Sequence, residues 1–210
     1  MVKEHRAVGN FDTIVVEGNL NVYIHQAMES AIAIEAGENL IPLIETSILN
    51  RTLRVRNNNT CNFVRGYEQP INVIIFVPDP KYVRLNGTGN IYSGNTITTD
   101  TIKIDNRGMG DINLDLNVKT AYIHIHGGGD INLKGKAIYT EIYGKGTCHI
   151  RCGELITDFS YIFSATTGNM YIHTNKDLGA EITHYGNIYY TGNPNINYEK
   201  ISAQGRLIKK

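Results

Sequence analysis

Three sets of side chains recur at spacings that could do chemistry. Tyr82, Tyr122, Tyr139, Tyr161 and Tyr198 each stand seven residues before a recurring glycine. Stacked one step apart, their rings would form a partly exposed ladder. Such a ladder either stabilises neighbouring strands through ring contacts or offers a face to sugar rings or a partner protein. Asp111 and Asp130 each follow a recurring glycine, so they should sit one step apart. Two carboxylates about 5 Å apart suit an oxygen-ligated cation or a retaining glycosidase pair. The same position holds Asn90, Asn169 and Asn187 elsewhere, as a plain turn residue would.

His124 and His126 alternate with Ile125, so both rings leave one face of a strand, as metal-binding pairs do. No third ligand stands in a matching row, and His149 and His173 fall in others, which reads as surface histidine. Gly144-Lys-Gly-Thr lacks the full spacing and following helix of a phosphate loop. No Ser/His/Asp or Cys/His arrangement can be assembled, so no catalytic residue and no cofactor is expected. The three cysteines, Cys61, Cys148 and Cys152, are an odd number, which leaves at least one without an intramolecular partner.

The elements that must position these residues are written as a repeat. A turn, a glycine, then Asn or Asp, then alternating apolar residues recur at Gly89, Gly110, Gly129, Gly146, Gly168, Gly186 and Gly205. Spacings of 21, 19, 17, 22, 18 and 19 residues around one motif are those of stacked coils with loops of different length. Two residues after each glycine stands an apolar side chain, most often Ile, and the next faces the other way. A second strand precedes each glycine, giving two or so short strands per coil.

The expected fold is therefore all-β, a right-handed parallel β-helix (β-solenoid) with about seven coils and an N-terminal β-rich cap. Residues 1–10 read as a tail, 11–80 as the cap continuous with the solenoid, and 81–210 as the repeats. Within the cap, strands are expected at 13–16, 20–25, 31–36, 52–56 and 71–77. A short helix is expected over 40–49 with Pro42 in its first turn, then a hairpin at Asn50-Arg51 and an asparagine-rich loop over 57–62.

Composition agrees with this reading and excludes others. Gly makes up 21 of 210 residues, Trp is absent, and a hydrophobic share of 41% supports a real core. Lys+Arg and Asp+Glu are 20 each, which removes the charge that non-specific nucleic-acid binding needs. No apolar run approaches a membrane span, and the start of this chain carries no apolar segment of a signal peptide.

Gly110-Asp-Ile-Asn113, Gly129-Asp-Ile-Asn132 and Gly186-Asn-Ile-Tyr189 resemble the repeats of the auto-transporter adhesin head GIN domain family. The opening from Phe11 to Gly18, Val22-Tyr-Ile-His-Gln26, the segment from Asn39, Leu53-Arg-Val and Val73 to Pro78 follow that family's order, over about residues 10 to 205. The resemblance implies a right-handed β-helix of the Bacteroidetes cell envelope, made behind a secretion or lipoprotein signal. It supplies no catalytic residues. The function expected is thus a secreted or cell-surface adhesin-like interaction module without catalysis; the alternative is a polysaccharide-binding or polysaccharide-acting β-helix. Its partner would be a surface glycan or protein, and its rod ends would allow homo-oligomers. The place expected is extracytoplasmic: cell surface, secreted or periplasmic.

Overall fold

The computed structural model describes residues 1–59 and 70–210 as a β-solenoid with no α-helix among them. Cys61 and the second half of the asparagine-rich loop, residues 60–62, lie outside the described residues. Among the described residues seventeen strands, β1 to β17 in chain order, are joined in one sheet system wound around a continuous apolar core.

The reason is visible in β11 (Ile112–Ile125), where buried and outward side chains alternate along INLDLNV. The alternation slips at Lys119 and Thr120, two successive residues that both face out. There the strand turns a corner and alternation resumes from Ala121. The same slip occurs at Ile138-Tyr139 in β12 (Ile131–Gly146) and Asp158-Phe159 in β13 (Ile150–Thr166). Each middle turn therefore has three faces rather than two strands. Face A runs through β8 (Tyr82–Leu85) and residues 101–106, 120–125, 139–144 and 159–164. Face B runs through β9 (Ile91–Ser93), 112–114 and 131–133, and then 150–152 and 170–172. Face C is built from 97–99, 116–118 and 135–137.

From Tyr82 onward these pairings are parallel and give about seven turns. Inward rows such as Ile91, Ile112, Ile131, Ile150, Met170 and Ile188 are fully buried. Toward the C-terminal side one inward patch turns polar: Thr140, Thr157, Ser160 and Thr174 are buried and bond to one another through their hydroxyls at 2.8 to 3.3 Å.

The first turns are not stacked in chain order. β2 (Thr13–Glu17) lies between β6 (Thr52–Asn57) and β8, and β3 (Asn21–Gln26) between β7 (Asn72–Val77) and β9, all parallel. The chain then closes this end with antiparallel strands. β4 (Ala31–Ala36) covers the edge of β7, β1 (Val2–Arg6) covers β4, and β5 (Ile44–Leu49) covers β6. The expected tail over 1–10 is thus an edge strand over Val2–Arg6, anchored by Arg6 donating to the Ile44 carbonyl at 2.6 Å. The helix expected over 40–49 is a single 3-10 turn, Ile41–Leu43. Ile44, Thr46 and Ile48 alternate and pair across the Asn50-Arg51 turn, whose two residues have φ of 49° and 60°; the hairpin satisfies an edge that a helix could not.

Register corrects one repeat. Ile150 pairs with Ile131, so the residue equivalent to Gly129 is Cys148, while Gly146 stacks beneath Gly127. With Cys148 as the corner the spacings become 21, 19, 19, 20, 18 and 19. Cys148 and Cys152 both point into the core as free thiols. Burial pushes the Cys148 thiol up, and pushes that of Cys152 up to about 12. In a Cys61→Ser variant the native chain should resist a thiol-specific disulfide reagent and expose two reactive thiols only on denaturation. Labelling of either thiol in the native state at neutral pH would contradict this packing.

Candidate functional site

The residues beside the corners form a side-chain ladder along the whole rod. Asn21 Oδ1 accepts from the Asn90 N–H at 3.2 Å, Asn90 Oδ1 from Asp111 at 2.8 Å, and Asp111 Oδ1 from Asp130 at 2.8 Å. Asp130 Oδ1 accepts from the His149 N–H at 2.8 Å, and His149 Nδ1 from Asn169 at 3.0 Å. Asn169 and Asn187 continue it to Arg206, at 3.0 and 2.9 Å. Each side chain therefore satisfies a backbone donor that the corner leaves out of the sheet. This chemistry needs a short side chain with an acceptor, which explains Asn and Asp; the His149 ring meets it with its proton on Nε2.

Asp111 and Asp130 are thus one step apart, with their Oδ1 atoms occupied by backbone N–H groups, and Asp130 Oδ2 accepts from Arg151 at 2.6 Å. Among the described residues no group of three His, Cys, Asp or Glu side chains forms around them or anywhere else. Asn169→Ala would leave the Asn187 N–H without its acceptor and should cost about 1–3 kcal/mol, whereas Asn169→Asp keeps the acceptor and should cost less than half as much. Urea unfolding of both variants checks this.

The expected tyrosine ladder lies on face A with a different membership. Tyr82, Lys103, Tyr122, Glu141, Tyr161, Gly179 and Tyr198 occupy one row, so tyrosine comes at alternate turns. Tyr139 is outside it: it sits at the corner between faces C and A, opposite Thr120 and Phe159. The two-residue shift at Cys148 is the cause. Tyr161 and Tyr198 approach to 6.1 Å between ring centroids, over Gly179.

Tyr82 is committed to an ion cluster. Its hydroxyl donates to Asp105 Oδ2 at 2.8 Å and accepts from Arg84 Nε at 2.9 Å, and Arg107 Nε donates to the same Asp105 oxygen at 2.9 Å. Burial would raise the Asp105 carboxyl, but the Tyr82 hydroxyl, Arg107 and Arg84 outweigh it and hold the group below the ordinary carboxylate value. The adjacent row brings His124, Tyr143 and Phe163 together; Tyr143 stacks on Phe163 at 5.0 Å, and His126 lies 5.3 Å from Tyr143. Burial, then Lys103, holds the His124 imidazole below its ordinary value.

A deep concavity lies on face B, at a place not singled out by its residues. It is a groove of about 890 Å³. The stretch joining faces B and C changes length from turn to turn. It is the loop Gly94-Asn95-Thr96 in one turn, the single residues Asp115 and Lys134 in the next two, and Gly153-Glu154 in the fourth, where a bulge interrupts pairing with β12. Two short turns between two long ones leave the groove. Its floor strip is Asn113 and Asn132, joined by Asn132 Nδ2 donating to Asn113 Oδ1 at 2.9 Å. Arg151 Nη1 donates to Asn132 Oδ1 at 3.3 Å, and Lys134 pairs with Asp115 at 3.7 Å. Tyr92 and Tyr171 close the two ends, each backed by a second ring: Tyr23 stacks on Tyr92 at 5.3 Å and Tyr189 on Tyr171 at 5.1 Å. The signal was present in the outward row three residues after each glycine, once Arg151 replaces His149 in it.

Residues 10–194 match the family described as "Putative auto-transporter adhesin, head GIN domain". Crystal structures share the fold across almost the whole chain. A "putative adhesin" of Bacteroides fragilis is 23% identical with a TM-score of 0.89, covering 99% of this chain and 95% of that one. A "putative adhesin" of Parabacteroides merdae is 20% identical at 0.74, covering 99% and 95%. A "putative lipid binding protein" of Parabacteroides distasonis is 15% identical at 0.74, covering 100% and 96%. No curated protein gives a match. Among the described residues no helix is long and apolar enough to cross a membrane.

Proposed function

The chain belongs to the auto-transporter adhesin head GIN domain family, and from that premise we propose that it is an extracytoplasmic interaction module that binds a surface ligand without transforming it. The observation that carries this reading is the face B groove, whose central side chains are two amides and the Lys134–Asp115 ion pair, held in register between two tyrosine pairs. Rigid turns hold that strip in place, so a ligand meets it with little ordering cost. A family of adhesin heads provides the setting in which such a surface is used, at the cell surface or in the secreted or periplasmic space.

A second reading, action on polysaccharide, has one observation in its favour. Asp115 and Glu154 stand in one row two turns apart, about 10 Å by the strand spacing, near the upper limit for an inverting carboxylate pair. Lys134 lies between them and pairs with Asp115 at 3.7 Å. The test is an array of glycans and matrix proteins probed with the purified chain, run beside an assay for newly released reducing ends. Saturable binding with no release supports the first reading; release of reducing ends that stops in Asp115→Asn or Glu154→Gln establishes the second.

A further inference from the structure

We infer that the face B groove takes a neutral oligosaccharide about four sugar units long, lying along the rod axis. This deepens the binding role proposed above and rests on it. From Tyr92 to Tyr171 the row advances four turns, about 19 Å at the strand spacing, and sugar units in an extended chain advance by a similar step. Tyr23 and Tyr189 stack on the outer sides of these two rings, and the next residues of the row on the inner side are Asn113 and Arg151, so the rings bracket the strip at its two ends. Lys210 Nζ stands 4.9 and 4.8 Å from the Tyr171 and Tyr189 centroids, equidistant from both, so it lies beside the pair and does not cover the groove face. A tyrosine at each end offers apolar ring contact and a hydroxyl to a terminal sugar.

Between the rings the hydrogen-bonding capacity is of the right kind. Asn113 spends its Oδ1 on Asn132, so its two Nδ2 donors have no protein partner among the described residues. They face ring and hydroxyl oxygens of a ligand laid across them. Charge decides between neutral and acidic ligands. Arg151 is paired to Asp130 at 2.6 Å and Lys134 to Asp115 at 3.7 Å, leaving Glu154 on the rim and no surplus of cations to draw a uronate or a phosphate. A peptide strand would need an unpaired sheet edge, and the turns under the groove are paired on both sides.

The test is calorimetric titration of the whole chain with four linear neutral tetrasaccharides, cellotetraose, chitotetraose, xylotetraose and mannotetraose, with their monosaccharides, and with tetragalacturonate. The comparison is with Asn113→Asp, Tyr171→Ala and, on face A, Tyr122→Ala. Asn113→Asp keeps the acceptor for Asn132 while it removes the free donors and adds one negative charge, so the Asn132 contact stays and a change in fold does not confuse the result. At least one neutral tetrasaccharide should bind, more tightly than its monosaccharide. Asn113→Asp and Tyr171→Ala should each weaken it about tenfold, with Tyr122→Ala unchanged. Loss only in Tyr122→Ala, tighter binding of tetragalacturonate, or no binding of any neutral tetrasaccharide would overturn the inference. In the last case a protein ligand found on the array would leave the binding role standing, and an empty array would remove that role as well.

Discussion

Gly110→Ala should cost about 4 kcal/mol or more, a loss of the size reserved for packing that cannot relax, and the chain should be recovered largely unfolded. A Cβ at Gly110 would lie 1.8 Å from the Gly89 carbonyl oxygen and 2.7 Å from its carbon. Those atoms are backbone of the adjoining turn, so no rotamer change relieves the clash. To reach an ordinary contact the two turns must part by more than 1 Å, and the Asn90–Asp111 side-chain bond at 2.8 Å spans the same gap. The steric cost and the lost ladder bond therefore add at one place. Gly129 repeats the geometry at 1.9 Å from the Gly110 oxygen, so Gly129→Ala should behave alike. Gly153 is the control: its nearest atom would be the Tyr171 Cβ at 4.0 Å, and Gly153→Ala should stay within about 1 kcal/mol of the parent. Urea unfolding and the yield of soluble protein measure all three, and a Gly110→Ala chain as stable as Gly153→Ala would refute the corner packing.

What the sequence disclosed and what it hid have one physical origin. Glycine at the corner and Asn or Asp beside it are favoured on most turns by the close approach of backbones and by the orphan N–H that follows. Those requirements repeat, so they can be read without a structure. Inward Ile rows repeat for the same reason. The misassigned turn is the one where a cysteine replaces the corner glycine: Gly146 is a real repeat residue, but of the row that contains Gly127. That two-residue offset moved Tyr139 into the tyrosine row and put His149 where Arg151 belongs. The third face was hidden because the chain turns its corner inside an unbroken strand, marked only by two adjacent outward residues such as Lys119 and Thr120.

The groove was hidden differently. No residue type announces it, since it is the difference in length between neighbouring turns that makes it. Asn113 and Asn132 look like two more outward polar residues until the Gly94-Asn95-Thr96 loop and the Gly153 bulge are placed on either side of them. A feature made by departures from the repeat is the natural place for function on a rod whose regular parts are fixed by stacking. Conversely, the most regular polar row, Asn90 to Asn187, is wholly used in building the rod.

The second large effect concerns Asp105, whose side chain is only 1% exposed while Arg84 and Arg107 remain 28% and 51% exposed. Removing the cations leaves a carboxylate that water cannot reach, whereas removing the carboxylate leaves two cations that it can. Arg84→Ala/Arg107→Ala should therefore cost about 3 kcal/mol at pH 7, the lower end of the range for stranding a buried charge, and Asp105→Asn about half as much. The pH dependence fixes the interpretation. In the parent the carboxyl is held below its ordinary value of 3.8, so its contribution is present above that value and is lost as pH falls through the lower folded value. In the double variant the Tyr82 hydroxyl alone is left to offset burial, and the same carboxyl rises from its value in the parent. Its penalty is then largest at neutral pH and fades as acid protonates it in the folded chain. The two chains should differ most at pH 7 and converge only as pH falls below 3.8, through the parent's lower folded value, by urea unfolding at each pH. If Asp105→Asn proves the more damaging change at pH 7, the cluster stabilises through its hydrogen bonds to Tyr82 and not through charge.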